Sequence, residues 1–231
     1  MPMKQYLGID VGTSGCRACV IDDQADILAE AAVELPAPLS RDGGSEQDAD
    51  LWWQALCRLL DELSRTTPLV GVAAISIDGT SSTLLCCMAD GTPLAPALMY
   101  NDARSTVAAL RIAGVAPATS GAHGASSSLA KLLFLRTGGL TGRAHHALHQ
   151  ADWLLGRLSG HYGVTDENNA LKLGYDPVER CWPDWLDALG LDRRLLPDVV
   201  PPGQSIGSLN DKWCRRWGFG DATRIVSGTT D

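Results

Sequence analysis

The sequence predicts an α/β domain built on a mixed β-sheet. Three short patterns typical of strands follow one another near the N-terminus, at residues 4–11, 16–22 and 26–34. They are too close in sequence for helical crossovers, so they predict an antiparallel meander. A nearly continuous apolar run at residues 69–78 is typical of a central strand buried on both faces. Helical patterns lie on both sides of this run, in an order that differs from the regular βαβ series of a Rossmann domain.

The helices are predicted from apolar spacing and from the residues at their ends. In residues 45–65 apolar side chains recur at four-residue spacing, and Asp48 is the expected N-cap. Further helical patterns cover residues 103–114, 127–139, 149–160, 183–190 and 210–218. A hairpin with its turn at Asp90-Gly91 is predicted at residues 82–94, and the last strand at residues 222–228.

Composition excludes several classes of function. The chain has 231 residues, is 45% hydrophobic and has a formal net charge of −8. Its Lys and Arg residues do not gather into a stripe, which argues against a nucleic-acid or anionic-membrane surface. No apolar run approaches the roughly 18 residues of a membrane-spanning helix, and the N-terminus lacks the pattern of a signal peptide. We therefore expect a cytoplasmic protein.

Two patterns that are compatible with a metal site are weak. Cys16 and Cys19 form a C-x-x-C, but residues three apart in a strand face opposite sides, so buried reduced thiols are expected. His145, His146 and His149 share one face if residues 145–149 are helical, yet no pattern supplies a third ligand. A solvated helix face is the preferred interpretation of the histidines.

The segment GIDVGTSG carries the first candidate site. Asp10 lies near the end of the first predicted strand, and Gly12 and Gly15 allow unusual φ angles and close approach of a ligand to the backbone. Backbone amides and the Thr13 and Ser14 hydroxyls can hold phosphate while a carboxylate positions Mg²⁺, often through water. An ordinary hairpin with a solvated aspartate fits the same residues. The sequence contains neither a Walker A motif nor a G-x-G-x-x-G after a strand.

Three further polar segments follow predicted strands. In SIDGTSST, Asp78 and Ser81 suit a polyol ligand, although an ordinary polar turn fits as well. In MYNDARS, Tyr100 can stack on a sugar or simply pack, and Asp102 can bind a ligand or cap the next helix. In VSGTTD, Asp231 follows the last predicted strand, which is where α/β enzymes usually carry catalytic groups.

Taken in order, the segments GIDVGTSG, SIDGTSST, ALMYNDARS, HQADWLLGRLSG and IVSGTTD resemble the N-terminal domain of the FGGY family of carbohydrate kinases. The resemblance covers essentially all of residues 1–231, and the middle segments are most similar to D-ribulokinase-type and xylulokinase-like members. It implies an actin-like ATPase (ribonuclease-H-like) domain that binds sugar. In the family a C-terminal domain, which is absent from these 231 residues, binds most of the ATP.

The resemblance also implies roles for individual residues. Asp231 corresponds to the catalytic aspartate that takes the proton of the sugar hydroxyl, and Asp10 to the aspartate that orients Mg²⁺. The phosphate groups of ATP are expected against Gly12, Thr13 and Ser14. Contacts with the sugar are expected from Asp78, Ser81, Tyr100 and Asp102.

Departures from the patterns of relatives, and of xylulokinases in particular, favour D-ribulose as substrate, with D-xylulose next. Tyr100 stands where many relatives have Trp, residues 78–81 replace a Met-His pair, and Ala108 stands where xylulokinases have Glu. The expected function is therefore ATP-dependent phosphorylation of a ketopentose at its terminal hydroxyl. A non-catalytic sugar-binding or interaction module, and a kinase for another polyol, are the alternatives. The 231 residues alone are expected to have little or no activity, and a homodimer is left open.

Overall fold

The structure is a computed structural model that describes residues 4–230 of the chain. The strands are β1 (Gln5–Val11), β2 (Gly15–Asp22), β3 (Ile27–Glu34), β4 (Leu39–Arg41), β5 (Gly44–Gln47), β6 (Val72–Gly79), β7 (Leu84–Cys87), β8 (Ala97–Leu98), β9 (His146–His149), β10 (Val164–Asp166), β11 (Asp198–Val200), β12 (Ser205–Ser208), β13 (Arg224–Val226) and β14 (Thr229–Thr230). The α-helices are α1 (Ala49–Thr66), α2 (Thr106–Ala113), α3 (Ser128–Thr137), α4 (Gln150–Ser159), α5 (Glu167–Leu171) and α6 (Asp211–Trp217). Short 3₁₀ helices cover Leu140–Arg143, Asp184–Leu189 and Arg193–Leu195.

The main sheet is mixed, as the sequence predicts. Its strand order is β12-β13-β6-β1-β2-β3, and β14 pairs with β6 beyond the end of β13. Strands β1, β2 and β3 form the predicted antiparallel meander, whereas β6 runs parallel to β1, β13 and β14. The carboxyl ends of β1, β6 and β14 therefore meet at one edge of the sheet.

Helices α1 and α4 cover one face of the main sheet. Trp52 of α1 and Trp153 of α4 are fully buried and meet edge to face at 6.2 Å. They pack in one core with the inward-facing residues of β1 and β6, such as Ile9 and Ile77. This core orients the opposite residues of the same strands, including Asp10 and Asp78, towards the other face.

The prediction that the central strand is buried on both faces is wrong for the described part of the chain. Ile75 and Ile77 are fully buried, but Ala74 and Ser76 on the opposite face are only half-buried. The neighbouring Tyr6 of β1 is 37% exposed. The apolar run thus reflects small residues on the second face, which no helix within residues 4–230 fully covers.

A second, five-stranded sheet has the order β4-β5-β8-β7-β9 and packs against α2 and α3 in a core of its own. The predicted turn at Asp90-Gly91 is confirmed, because Gly91 has φ of +80° and its N–H donates to the Met88 carbonyl. The main partner of β7 is β9, however, rather than the chain that follows the turn.

Helix α1 begins where the sequence predicts, because the Asp48 carboxylate accepts a hydrogen bond from the Asp50 N–H. Residues 44–47, predicted in part as helix, form β5 instead. The strand is held by tertiary contacts: the Ser45 carbonyl accepts from the Met99 N–H and the Ser45 N–H donates to Asp102. Residues 183–190 form a 3₁₀ helix, and the predicted helical pattern of the three histidines is wrong because His146–His149 is strand β9.

The cysteines in residues 4–230 are free, and most are buried as expected. Cys16 faces the core while Cys19 is half-buried on the other face, and Cys86 and Cys87 point into different cores. Burial raises the pKa of the Cys16, Cys86 and Cys87 thiols to about 12, which keeps them protonated and unreactive. Cys181 is exposed, contrary to the expectation of buried thiols.

Candidate functional site

The candidate site lies where β1, β6 and β14 end together. In the strand register Asp10 of β1 lies beside Asp78 of β6, and Asp78 lies beside Thr229 of β14. Adjacent strands are about 4.8 Å apart, so the two carboxylates are neighbours on the less covered face of the sheet. A cavity of about 300 Å³ opens here, lined by Gly8, Ile9, Asp10, Arg17, Ala18, Cys19, Ser76, Asp78 and Thr229.

The Asp10 carboxylate is accessible. Half of its side chain is exposed, and its Oδ2 atom lies 3.5 Å from Nη1 of Arg17, which is itself 75% exposed. An ion pair this open to solvent contributes little to stability. Asp10 can therefore exchange this contact for one with a ligand at low cost.

The β1–β2 turn, residues 12–14, closes the carboxyl end of β1. The Gly12 N–H donates to the Gly15 carbonyl at 2.9 Å, and Ser14 accepts through its carbonyl from the Leu35 N–H. Neither Gly12 nor Gly15 has a positive φ, so the expectation of unusual φ angles is wrong. At Gly15 the constraint is space instead, because a Cβ atom there would lie 3.1 Å from the Val33 carbonyl oxygen, closer than usual van der Waals contact.

The segment after β6, residues 80–83, is held by hydrogen bonds from Thr80 to Gln150 of α4. The side-chain oxygen of Gln150 accepts from both the N–H and the hydroxyl of Thr80, and the Thr80 and Thr83 hydroxyls are 2.6 Å apart. Ser82 adopts φ of +65°, which costs a residue with a Cβ atom about 1–2 kcal/mol. Ser81 is half-buried at the tip of this segment, and the Asp78 carboxylate accepts from the Gly79 N–H at its base.

The segment after β8, residues 99–104, carries Tyr100 and Asp102 in contrasting environments. Tyr100 is 44% exposed, whereas Asp102 is completely buried. The Asp102 oxygens accept from the Ser45 N–H and from the guanidinium of Arg104, which also reaches Glu46 at 2.6 Å. Burial would raise the pKa of Asp102, but the hydrogen bonds from Arg104 and Ser45 outweigh it and hold the pKa below its usual value.

This environment corrects one expectation and weakens another. Asp102 does not cap α2, whose N-cap is Ser105. A direct contact between Asp102 and sugar, expected from the resemblance, fits poorly with a buried carboxylate whose two oxygens already accept hydrogen bonds. The geometry indicates that Asp102 holds the Arg104 guanidinium in place.

Lys131 is a residue of the site that the sequence analysis missed. It projects from α3 and is completely buried, and its Nζ atom donates to the Ser82 carbonyl at 2.8 Å and to the Tyr100 carbonyl at 3.4 Å. Burial lowers the pKa of Lys131 to about 7, although the attraction of Asp102 acts in the opposite direction. The signal in the sequence is a single lysine inside the apolar run SLAKLLFL.

A second missed group holds β14 in place. The Asn168 amide donates to the Thr229 hydroxyl at 2.9 Å, and the Asn169 amide donates to the Thr229 carbonyl at 3.3 Å and to Asp166 at 2.6 Å. Burial, followed by repulsion from Asp152, raises the pKa of Asp166. Asn168 and Asn169 thus hold β14, the strand that directly precedes position 231.

The hydrogen-bonded series Ser128–His149–Asp152 has the connectivity of a nucleophile, base and acid. The Ser128 hydroxyl lies 2.9 Å from Nε2 of His149, whose Nδ1 atom lies 3.2 Å from Asp152. Ser128 is fully buried and His149 is 1% exposed, so no substrate reaches the hydroxyl. The series connects α3 to the start of α4.

Asp231, the expected catalytic aspartate, lies outside the described residues. Within residues 4–230 no three His, Cys, Asp or Glu side chains gather as a metal site. Mg²⁺ usually takes one or two protein carboxylates and completes its shell with water and phosphate oxygens. The neighbouring Asp10 and Asp78 carboxylates beside an open cavity fit that requirement.

No helix of the described chain has the length and apolar character needed to cross a bilayer.

Comparisons with known proteins agree with the fold and with the order of the motifs. Residues 5–231 match the sequence profile of the FGGY family of carbohydrate kinases, N-terminal domain. The chain is 30% identical to a xylulose kinase of Streptomyces rubiginosus, over 97% of this chain and 48% of the relative. It is also 30% identical to a glycerol kinase of Herminiimonas arsenicoxydans, over 89% of this chain and 45% of the relative.

The crystal structure of a ligand-bound xylulose kinase from Lactobacillus acidophilus superposes with a TM-score of 0.87 at 21% identity, over 99% of this chain and 48% of the other. This likeness shows the fold. The chain spans about half the length of the curated relatives it matches. The chain belongs to the FGGY family of carbohydrate kinases and corresponds to the N-terminal domain of that family.

Proposed function

We propose that this chain is the sugar-binding part of an ATP-dependent kinase that phosphorylates a ketopentose at its terminal hydroxyl. One observation carries the proposal: Asp10, Asp78 and Thr229 lie side by side at the edge of the sheet, next to a cavity of about 300 Å³. Two carboxylates and the strand that precedes Asp231 thus converge on one accessible place. Family membership supports a phosphoryl transfer there.

Phosphoryl transfer depends mainly on alignment and on neutralising charge, so a strong base is not required. An aspartate has an ordinary pKa of about 3.9 and is ionised at neutral pH. In this proposal Asp231 orients the attacking hydroxyl and takes its proton late in the transfer. Asp10 would hold Mg²⁺, directly or through water, and Mg²⁺ would supply charge neutralisation on the phosphate oxygens. The turn with Gly12, Thr13 and Ser14 then presents amides and hydroxyls to the terminal phosphate.

The sugar is proposed to lie between the segments after β6 and β8. Asp78, Ser81 and the exposed ring of Tyr100 supply the contacts, and Asp102 acts through Arg104. D-Ribulose is preferred over D-xylulose because residues 78–81 and Ala108 differ from the xylulokinase pattern. Glycerol is a second candidate substrate, favoured by the similarity to glycerol kinases.

The adenosine part of ATP is proposed to bind a C-terminal domain of the whole protein. The relatives are about twice as long as this chain. The half-covered face of the main sheet, with Tyr6 and Ser76, is a surface that further polypeptide would cover. By itself, the 231-residue chain would then bind sugar and have little or no activity.

The test is phosphotransfer from ATP to D-ribulose by the full-length protein and its Asp231→Asn variant, with sugar binding followed by calorimetry. We expect the variant to lose about 10³-fold or more in kcat, because the hydroxyl is no longer oriented and deprotonated. Its sugar affinity should change little. The matched control is Asp221→Asn, an exposed aspartate ten residues earlier in the chain.

Retained turnover in Asp231→Asn would show that the base is elsewhere. Sugar binding by the wild type with no phosphotransfer to any polyol would favour the non-catalytic sugar-binding module.

A further inference from the structure

We propose that Lys131 is a positioning residue that holds the two segments of the sugar site, residues 80–83 and 99–104, at a fixed distance from each other. The proposal rests on the proposed function for the role of those segments. The hydrogen bonds of Lys131 with the two segments do not depend on the proposed function.

One amino group joins two segments that the fold supplies separately. Residues 80–83 follow β6 of the main sheet, and residues 99–104 follow β8 of the second sheet. The Nζ atom of Lys131 donates to one main-chain carbonyl in each, Ser82 at 2.8 Å and Tyr100 at 3.4 Å. Ser82 is next to Ser81, an expected sugar contact, and Tyr100 is itself an expected sugar contact. A shift of Lys131 therefore moves Ser81 and Tyr100 relative to each other.

The position calls for an apolar residue on packing grounds alone. Lys131 is fully buried, and its helix neighbours Leu129, Leu132 and Leu133 belong to the apolar core of the second sheet. Burying an amino group is costly unless it is hydrogen-bonded. A leucine or methionine at this position would avoid that cost. It would not, however, donate to the two carbonyls, which only a long, polar side chain can do.

The Ser82 contact also acts on a strained turn. Ser82 is in the left-handed region at φ of +65°, a conformation that persists only where the surroundings impose it. The hydrogen bond from Lys131 to the Ser82 carbonyl stabilises this conformation of Ser82. The start of the segment is held separately, by the hydrogen bonds of Thr80 with Gln150 and Thr83. Without Lys131 the turn is free to relax, and Ser81 leaves its place beside the sugar.

Loss of this arrangement should affect sugar binding more than chemistry. The sugar contacts act in the ground state and in the transition state alike, whereas Asp10 lies on β1 and position 231 follows β14. Lys131→Met in the full-length protein should therefore raise the KM for the sugar by about tenfold or more, with kcat and the KM for ATP within about threefold of wild type. Lys131→Arg retains donors for both carbonyls and should recover a large part of the affinity.

Hydrogen–deuterium exchange tests the contact without using activity. In Lys131→Met, amide exchange should accelerate in residues 80–83 and 99–102 together. The matched control is Leu135→Val, which removes a methylene group from the same helix in the same core. It should leave the sugar KM and the exchange of both segments as in wild type, apart from any uniform change due to stability.

Unchanged exchange in both segments of Lys131→Met, or an unchanged sugar KM, would overturn the proposal. If that variant does not accumulate as folded protein, Lys131→Gln decides by the same criteria, because its side chain is too short to reach both carbonyls. A wild type without sugar-dependent turnover would refute the proposed function instead, and the exchange experiment would still decide the role of Lys131.

Discussion

At the scale of single residues, three charged side chains of the candidate site differ in burial. Asp10 is half exposed and available to a ligand, Asp102 is buried and holds Arg104, and Lys131 is buried and holds two carbonyls. The sequence predicts the positions of Asp10 and Asp78 near the ends of β1 and β6, because a polar residue at the end of an apolar strand is a local signal. It does not predict the environment of Asp102 or Lys131, because their partners lie 57 and 49 residues away along the chain.

The buried amino group of Lys131 predicts a specific pH dependence of stability. Burial lowers its pKa from 10.5 to about 7 in the folded protein. Between these values the unfolded chain binds a proton that the folded chain does not, so this group's contribution to the free energy of unfolding increases as pH rises from about 7 to 10. A neutral amine still has the two N–H groups that the two carbonyls require.

The measurement is urea unfolding of the wild type and of Lys131→Met at several pH values. The difference in the free energy of unfolding between them should shift in favour of the wild type as pH rises above 7, and should level off below pH 7. Taking the difference removes the contributions of cysteines and tyrosines, which are common to both proteins. Parallel pH profiles would show that the pKa of Lys131 is not lowered.

At the scale of elements, the predictions that succeed are those that local patterns decide. The meander, the central strand and α1 with its Asp48 cap all follow from alternation, apolar runs and capping residues. The failures include β5 and β9, whose residues have polar or mixed patterns. Strand β5 forms because it pairs with the adjacent β4 and with the more distant β8, and β9 forms because it pairs with β7. The short α5 was also missed, although its Asp166 cap is a local signal.

The position of β14 is predicted to depend on α5. Asn169→Ala removes the side-chain contacts with the Thr229 carbonyl and with Asp166, and leaves the buried Asp166 without that donor. We expect kcat to fall by about tenfold or more while the sugar KM changes by less than about threefold, because the strand that leads to Asp231 loses a contact. Steady-state kinetics with varied sugar and varied ATP give both values.

A matched control for this variant is Asn210→Ala. Asn210 caps α6, so its loss should reduce stability by about 1 kcal/mol without changing kcat. If both asparagine variants reduce kcat in proportion to their loss of stability, the contact of α5 with β14 has no role in catalysis.

At the scale of the whole molecule, one sheet presents carboxylates at its edge and keeps one face incompletely covered. Helices α1 and α4 fill the first face with tryptophans and leucines, while the second face carries small or partly exposed residues such as Ala74, Ser76 and Tyr6. The apolar run predicts a strand covered on both faces, because such a run alone does not distinguish a strand covered on both faces from one covered on one face. In the proposed function, a C-terminal domain of the whole protein would cover this open face and complete the cleft.

The measurement that tests the central claim most directly is the initial rate of ADP release by the full-length protein, with saturating ATP and Mg²⁺, in the presence of D-ribulose, D-xylulose, L-ribulose or glycerol. The proposed function predicts sugar-dependent release with the highest kcat/KM for D-ribulose and a product phosphorylated at the terminal carbon. A higher kcat/KM for D-xylulose or glycerol would contradict the substrate assignment. ADP release that no sugar or polyol stimulates would contradict the claim that this site binds the phosphoryl acceptor.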